Sequence, residues 1–331
     1  MPILNRNFQG LSFVGKRKPV EPAQFGDVWV ARIPPNNVIY WENIAMSSDG
    51  SVVTAVGYSN LWVSTDTGLT WTNREPFDSL NWVDIAMSSD GSKQAAVHND
   101  AYGNGTIYIS TDYGTTWTAT GINAKWNAIA MSSDGTKLTA AIYGGQIYIS
   151  SNSGATWTPV ANSRNWTSVA MSSDGTRQTA VSESHFMTPN LGKIWISSDS
   201  GNTWTERESD RYWKDVTMSS DGSKQAAITS SLNSVFISTD FGNTWTAVGS
   251  ADYYFGVAMS DDAAKITAVT RKNGSSDRGQ IYVSIDSGNT WTLKDQDLNS
   301  YAVAMSSDGS VQALVTDPFY TIYSNIYFSF S

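Results

Sequence analysis

Ser110-Thr111-Asp112-Tyr113-Gly114-Thr115-Thr116-Trp117 is one of six copies of a single spelling, Ser-x-Asp-x-Gly-x-Thr-Trp, the others starting at Ser64, Ser150, Ser197, Ser238 and Ser284. Only the third copy departs from it, with Asn152 in place of the acid. A carboxylate two residues after a serine can accept hydrogen bonds from the N–H groups of its own turn, and the glycine tolerates the positive φ of a tight reversal. The Thr-Trp that follows restarts a strand. The stretch therefore predicts a turn between two β-strands, with Asp66, Asp112, Asn152, Asp199, Asp240 and Asp286 as structural residues. One acid per turn lacks the several oxygen ligands that calcium takes, so the row does not read as a metal site.

A second marker, Trp41-Glu42-Asn43-Ile44-Ala45-Met46-Ser47-Ser48-Asp49-Gly50, also returns. Its methionine recurs at 46, 87, 131, 171, 218, 259 and 305, in steps of 41, 44, 40, 47, 41 and 46 residues. Seven units at this spacing match propeller blades of four strands each. Within a unit the strands are short runs rich in β-branched and aromatic residues between Gly and Asp turns, such as Gln94-Ala95-Ala96-Val97 and Ile107-Tyr108-Ile109-Ser110.

The seventh unit ends at a third-strand pattern, Ile326-Tyr327-Phe328-Ser329, and its continuation stands at the other end of the chain. Phe25-Gly26-Asp27-Val28-Trp29-Val30-Ala31 matches Phe241-Gly242-Asn243-Thr244-Trp245-Thr246-Ala247 nearly residue for residue. The expectation is an all-β fold: a single seven-bladed β-propeller over residues 25–331, closed by an N-terminal strand at about 25–32 that completes the last blade and leaves no open edge there. All fourteen tryptophans then take repeat positions: seven in the box, five at five residues before the methionine, and Trp62 and Trp195 in third strands.

The 331 residues carry a net charge of −9 with 15% charged residues and no stripe of bases, which speaks against nucleic-acid binding. There is no cysteine, hence no disulfide or thiolate metal site. No apolar run approaches the roughly 20 residues of a membrane span. Residues 1–8 lack a secretory pattern, so synthesis in the cytoplasm is expected. Residues 1–24 form a separate, mildly basic arm with Arg6, Lys16, Arg17 and Lys18 against Glu21, and with enough apolar residues to pack on the domain or to dock it onto a larger assembly.

The box resembles the Asp-box, or BNR repeat, found in sialidase-like and sortilin-like propellers, and the resemblance covers nearly everything from residue 25 onward. It implies the fold and leaves the activity open, because such propellers include sialidases, xyloglucan-type glycosidases, sortilin-type receptors and photosystem assembly factors. Arg32-Ile33-Pro34 is similar to the Arg-Ile-Pro of sialidases. Arg74 and Arg207, however, also stand three residues after a box tryptophan, so Arg32 reads as a repeat position. The further arginines, the Tyr–Glu pair and the acid–base Asp of a sialidase are not identifiable.

Variable loops point to the face opposite the boxes: Tyr58-Ser59-Asn60 is short, whereas His98 to Thr106, Ser182 to Lys193, Thr270 to Gln280 and Asp317 to Asn325 are long. That face is expected to receive Trp41, Trp82, Trp126, Trp166, Trp213 and Tyr254, with Tyr301 displaced by one residue. Such rings can stack on sugars or can pack between blades. Glu42, Asp84 and Asp215 begin first strands near the ring's centre, where a catalytic pair is conceivable and exposed strand-end polar residues are the simpler expectation. His98 and His185 fall in two long loops and lack the spacing of a metal site. The resulting reading is a non-catalytic binding or structural module with no cofactor and no metal. Its variable-loop face meets a glycan or protein partner, and by analogy it belongs to a larger particle of the virion type. The rival is a glycoside hydrolase acting in the central depression.

Overall fold

The computed structural model describes residues 25–35, 40–75, 80–100, 102–183, 192–231, 233–271, 279–295, 298–316 and 325–331. Every regular element among them is a β-strand, arranged in five four-stranded sheets and one six-stranded sheet, all antiparallel. The six-stranded sheet holds two repeats. Its long strand Thr158–Met171 pairs at one end with Ile147–Ile149 and at the other with Gln178–Ser182, so it leaves one repeat and becomes the inner strand of the next.

Counted by inner strands, seven repeats follow one another around an axis. These strands are Asn43–Met46, Trp82–Met87, Trp126–Met131, the second half of Thr158–Met171, Trp213–Met218, Tyr254–Met259 and Ser300–Met305. After each, a Ser-Ser-Asp-Gly or related turn donates one backbone hydrogen bond to the turn of the next repeat. The chain of bonds runs from Ser48 to Ser89, Ser133, Ser173, Ser220, Asp261 and Ser307 and returns to Ser48, each at 2.8–2.9 Å. A closed cycle of seven bonds leaves no first and last repeat at this end of the axis.

The outer seam closes as the terminal sequences suggest. Strand Val30–Ala31 pairs antiparallel with Ile326–Phe330, Val30 opposite Phe328 and Ala31 opposite Tyr327. Just before it, Phe25 is buried against Val283 and Val303 of the last two repeats, and Asp27 meets Lys294 at 2.6 Å. Arg32 belongs to the same seam: it donates to the Thr67 carbonyl, its guanidinium lies 4.5 Å from the Phe330 ring centroid, and its own carbonyl accepts from the Trp71 indole at 3.1 Å. It is a packing residue at the junction of the last and first repeats.

The core is distributed between the repeats. Seven clusters of buried residues each join neighbours, as where Ala95, Val97 and Ile107 of the second repeat meet Trp126, Ile129 and Leu138 of the third. Buried threonines add hydrogen bonds across these seams, Thr54 to Gln94, Thr139 to Gln178 and Thr179 to Gln225, each 2.7 Å.

The boxes are turns. In Ser110–Trp117 the Asp112 carboxylate accepts from the Ser110 hydroxyl, the Thr116 N–H and the Thr116 hydroxyl at 2.7–2.8 Å, and Ser110 Oγ accepts the Gly114 N–H at 3.0 Å. Tyr113 and Gly114 both have positive φ, 59° and 74°, which is why the fifth box position is glycine. Asn152 preserves the arrangement: its Oδ1 accepts the Thr156 N–H, and its amide donates to the Thr156 hydroxyl at 2.9 Å. Asp66, Asp199, Asp240 and Asp286 make the same bonds as Asp112. The N–H of Tyr113 reaches Ser92 O at 3.0 Å, so the box and the Ser-Asp-Gly turn share one end of the blade.

Candidate functional site

Each inner strand starts at the opposite, variable-loop end, and there a bulge sets what faces the axis. In five repeats the register slips by one residue just after the aromatic, as between Trp82, opposite His98, and Asp84, opposite Val97, and in the last repeat it slips at the same place after Ser300. Such an extra residue re-aims the side chains around it. The residue four before each methionine, namely Glu42, Val83, Asn127, Thr167, Lys214, Phe255 and Tyr301, lines a central cavity of about 430 Å³. At the constant end a smaller cavity of about 160 Å³ is lined by methionines and serines of the turns.

Of the two roles open to the ring of aromatics, stacking on a ligand and packing between blades, the geometry shows packing. Trp41, Trp82, Trp126, Trp166, Trp213 and Tyr254 are only 0–2% exposed and do not offer a stacking face. They lie between repeats, edge-on or tilted to a third-strand aromatic: Trp82 to Tyr108 at 5.3 Å, Trp126 to Tyr148 at 5.4 Å, Trp166 to Trp195 at 6.1 Å, Trp213 to Phe236 at 5.0 Å and Tyr254 to Tyr282 at 5.8 Å. Tyr301, displaced by one residue in the sequence, sits at the bulge and faces the cavity.

Asp84 and Asp215 are not exposed strand-end groups either. Asp84 accepts hydrogen bonds from Asn43 Nδ2 at 2.5 Å, the Ile85 N–H at 2.8 Å and the Ile129 N–H at 2.7 Å, one from each of three consecutive repeats. Asp215 does the same with Ser168 Oγ at 2.7 Å, the Val216 N–H at 2.9 Å and the Val257 N–H at 3.1 Å. Burial pushes the Asp84 carboxyl up to about 7, against the two backbone donors that hold it down, and burial raises Asp215 as well. Glu42, four residues before Met46, takes the equivalent position of the first repeat and lines the cavity.

His98 is half-buried against Trp82 and Tyr108, with ring centroids 5.7 Å from each, and its Nε2 accepts the Thr106 N–H at 3.2 Å. Burial lowers its pKa, so it is a neutral packing residue of its loop. His185 lies outside the described residues, as do residues 1–24 and most of the loops after Ser182, Thr270 and Thr316. Among the described residues no group of three or more His, Asp or Glu is placed to hold a metal.

In the arc formed by the last three repeats the sequence reading named Tyr301 but not Lys214, Phe255 or Arg271. Phe255 and Tyr301 are tilted to each other at 5.5 Å. The Arg271 guanidinium lies 5.5 and 5.2 Å from their centroids and the Lys214 ammonium 5.7 Å from Phe255. One side of the mouth is thus cationic and aromatic, while Asn127 and Thr167 on the other side are neutral and bonded to carbonyls of the next repeat.

Residues 192–325 match the Sortilin-Vps10 family (sortilin, neurotensin receptor 3). No curated protein sequence matches the chain. Among solved structures it is similar to a GH74 enzyme of Niastella koreensis, with a TM-score of 0.71, 16% identity, 86% of this chain covered and 52% of that one. A GH74 xyloglucanase from Xanthomonas campestris gives 0.67, 14%, 87% and 52%, so the chain spans about half the length of these two enzymes. YCF48 bound to a D1 peptide gives 0.66, 15%, 91% and 96%. At such identities the likeness is one of fold. By sheet order and ring closure the chain has a β-propeller fold, and its turns are similar to those of Asp-box (BNR-repeat) propellers.

Proposed function

We propose that this propeller is a non-catalytic binding module. It holds a carboxylate-bearing segment of a glycan or protein at the channel mouth of its variable-loop face, and its N-terminal arm attaches it to a larger particle of the virion type. The observation that carries the binding role is the arc of Lys214, Arg271, Phe255 and Tyr301. Two cations over two ring faces supply charge-assisted donors beside an apolar wall, a setting suited to an anionic group on an organic body. Of the three acids that a two-carboxylate hydrolase could draw on, Asp84 and Asp215 each tie three repeats together, and Glu42 is the remaining acid that lines the cavity. Propellers of this shape include both GH74 enzymes and YCF48, so the fold alone favours neither class.

One observation favours the hydrolase reading: a carboxyl raised to about 7 has the protonation state of a general acid at neutral pH. An array of acidic and neutral glycans, run beside chromogenic glycosides and acidic peptides, separates the two. Binding of an acidic ligand without turnover, weakened by Lys214→Ala and by Phe255→Ala with the melting temperature retained, is the expected result. Turnover that disappears in a folded Asp84→Asn variant would overturn it in favour of the hydrolase.

A further inference from the structure

Away from the axis, the variable-loop face carries a second depression, of about 470 Å³, within the size range of small-molecule sites. It is built by the first three repeats. Tyr58 comes from the short loop of the first, Asn81, Asn99, Asp100 and Tyr102 from the second, and Lys125 from the approach to the inner strand of the third.

The two tyrosines are the most exposed aromatics among the described residues. Tyr102 is 90% exposed and Tyr58 57%, whereas the inner-strand tryptophans are packed between blades. Two exposed large rings in the lining of a polar depression offer flat apolar faces with a hydroxyl at the tip.

The polar groups between them are held in place from below. Asn81 Nδ2 donates to Asn99 Oδ1 at 3.2 Å, and Asn99 Nδ2 donates to the Trp126 carbonyl at 3.0 Å, which leaves the second N–H of each amide for a ligand. Asp100 accepts the N–H groups of Tyr102 and Asn104 on Oδ1, both at 2.8 Å, which fixes the loop that carries Tyr102. The backbone N–H of Asn104, followed by that of Tyr102, helps keep the Asp100 carboxyl below its ordinary range, so it is ionised at neutral pH. The stem of Lys125 runs past Gly103, and its ammonium lies 4.8 Å from the Tyr143 ring centroid. One carboxylate and one ammonium line the same depression, and their charges cancel.

We infer that this depression is a saccharide subsite for an uncharged glycan, with sugar rings laid on Tyr58 and Tyr102 and hydroxyls bonded to Asn81, Asp100 and Lys125. Hydroxyls serve as both donor and acceptor, which matches a site that offers a carboxylate, amide N–H groups and an ammonium together. A charged ligand would meet a like charge on one of the two ions. A protein partner would call for a broad apolar patch, whereas here the rings are separated by polar groups.

The test is titration of the full chain with uncharged gluco-, galacto- and manno-hexaoses by calorimetry. We expect one of them to bind and its affinity to fall roughly tenfold in Tyr102→Ala, the scale of one lost ring contact, while Tyr102→Phe and the mouth variant Phe255→Ala keep it. Because Tyr102 is so exposed, the melting temperature of its variants should not move. Absence of binding by all three hexaoses, or binding indifferent to Tyr102→Ala, would overturn the assignment. A protein ligand lost in Tyr102→Ala with no hexaose bound would overturn it in favour of a protein contact. None of these outcomes depends on whether the channel mouth binds an anion.

Discussion

Asp84 Oδ2 accepts the backbone N–H of Ile129 at 2.7 Å, across the boundary between the second and third repeats. With Asn43 and Ile85 on its other oxygen, this carboxyl joins three inner strands at the variable-loop end of the axis. The ring of Ser-to-Ser backbone bonds joins them at the other end. Asp215 repeats the device on the other side of the ring. Two side-chain staples and one backbone cycle thus hold the inner strands in register.

Asp84→Ala removes the acceptor of three part-buried donors beside the central cavity. An orphaned buried donor costs about 1–3 kcal/mol and water in the cavity can relieve part of it, so a loss of about 1–3 kcal/mol in all is expected, read as a lower urea midpoint at unchanged slope. A change under about 0.5 kcal/mol, the scale of an exposed site, would show that Asp84 is not a staple.

The same group makes stability depend on pH in an unusual direction. Its folded pKa of about 7 lies above the ordinary 3.8, so between these values the folded state keeps a proton that the unfolded chain has released. Its contribution is complete below about 4 and is lost as pH rises toward 7, at no more than about 1.4 kcal/mol per pH unit for one proton. The turn acids act oppositely. Asp134, held at about 2 chiefly by the Thr136 N–H and the Ser132 hydroxyl, contributes stability that is present above 3.8 and lost as pH falls toward 2. Asp215 and Asp261 shift in the same direction as Asp84, and His98 opposes them, so the total curve mixes several groups. The difference between wild type and Asp84→Asn isolates one of them. It should slope between pH 4 and 7 and be flat above, and a difference flat throughout would refute the raised pKa.

Trp126→Ala belongs with the stability variants. The indole is fully buried between the second and third repeats, next to Tyr148 and Trp157, and its removal should cost about 3–5 kcal/mol. Phe255→Ala, at the half-buried bulge position, should cost far less while weakening the ligand. Thermal melts of the two variants check this ordering, and a Trp126→Ala protein as stable as Phe255→Ala would contradict it.

The contrast between these two positions marks where the sequence was legible. The repeat, the turns and the broken last unit are written in recurring letters, because each copy meets the same backbone and packing demands: Gly114 for a positive φ, Asp112 for its turn, Trp126 for the seam. The bulge left no such mark. Glu42, Val83, Asn127, Thr167, Lys214, Phe255 and Tyr301 share a place in space and nothing in chemistry, so a search for repetition passes over them. The aromatic ring one residue earlier does recur, and strict alternation along a strand does not separate it from the axis-facing set once a register slip intervenes. Asp84 and Asp215 were noticed as acids, but their donors come from strands roughly 40 residues away in either direction, a relationship fixed only by ring closure.

The last prediction concerns that closure. Strand Val30–Ala31 makes a short pairing with Ile326–Phe330, yet the residues around it reach further: Phe25 fills the seam between the last two repeats, Asp27 pairs with Lys294, and Arg32 bridges to Thr67 of the first repeat. Removing residues 1–32 would expose the backbone edge of Ile326–Phe330 and the rings of Phe328 and Phe330 together, an open strand edge with an apolar face. The expected outcome is a clear drop in melting temperature and concentration-dependent aggregation, measured beside a chain lacking only residues 1–24. That shorter truncation should melt as the full chain does and lose only its incorporation into the larger particle. If both truncations melt alike, the N-terminal strand is dispensable and the ring is held by its inner bonds alone. If removal of residues 1–24 is by itself destabilising, the arm is part of the fold and its role as an attachment is refuted.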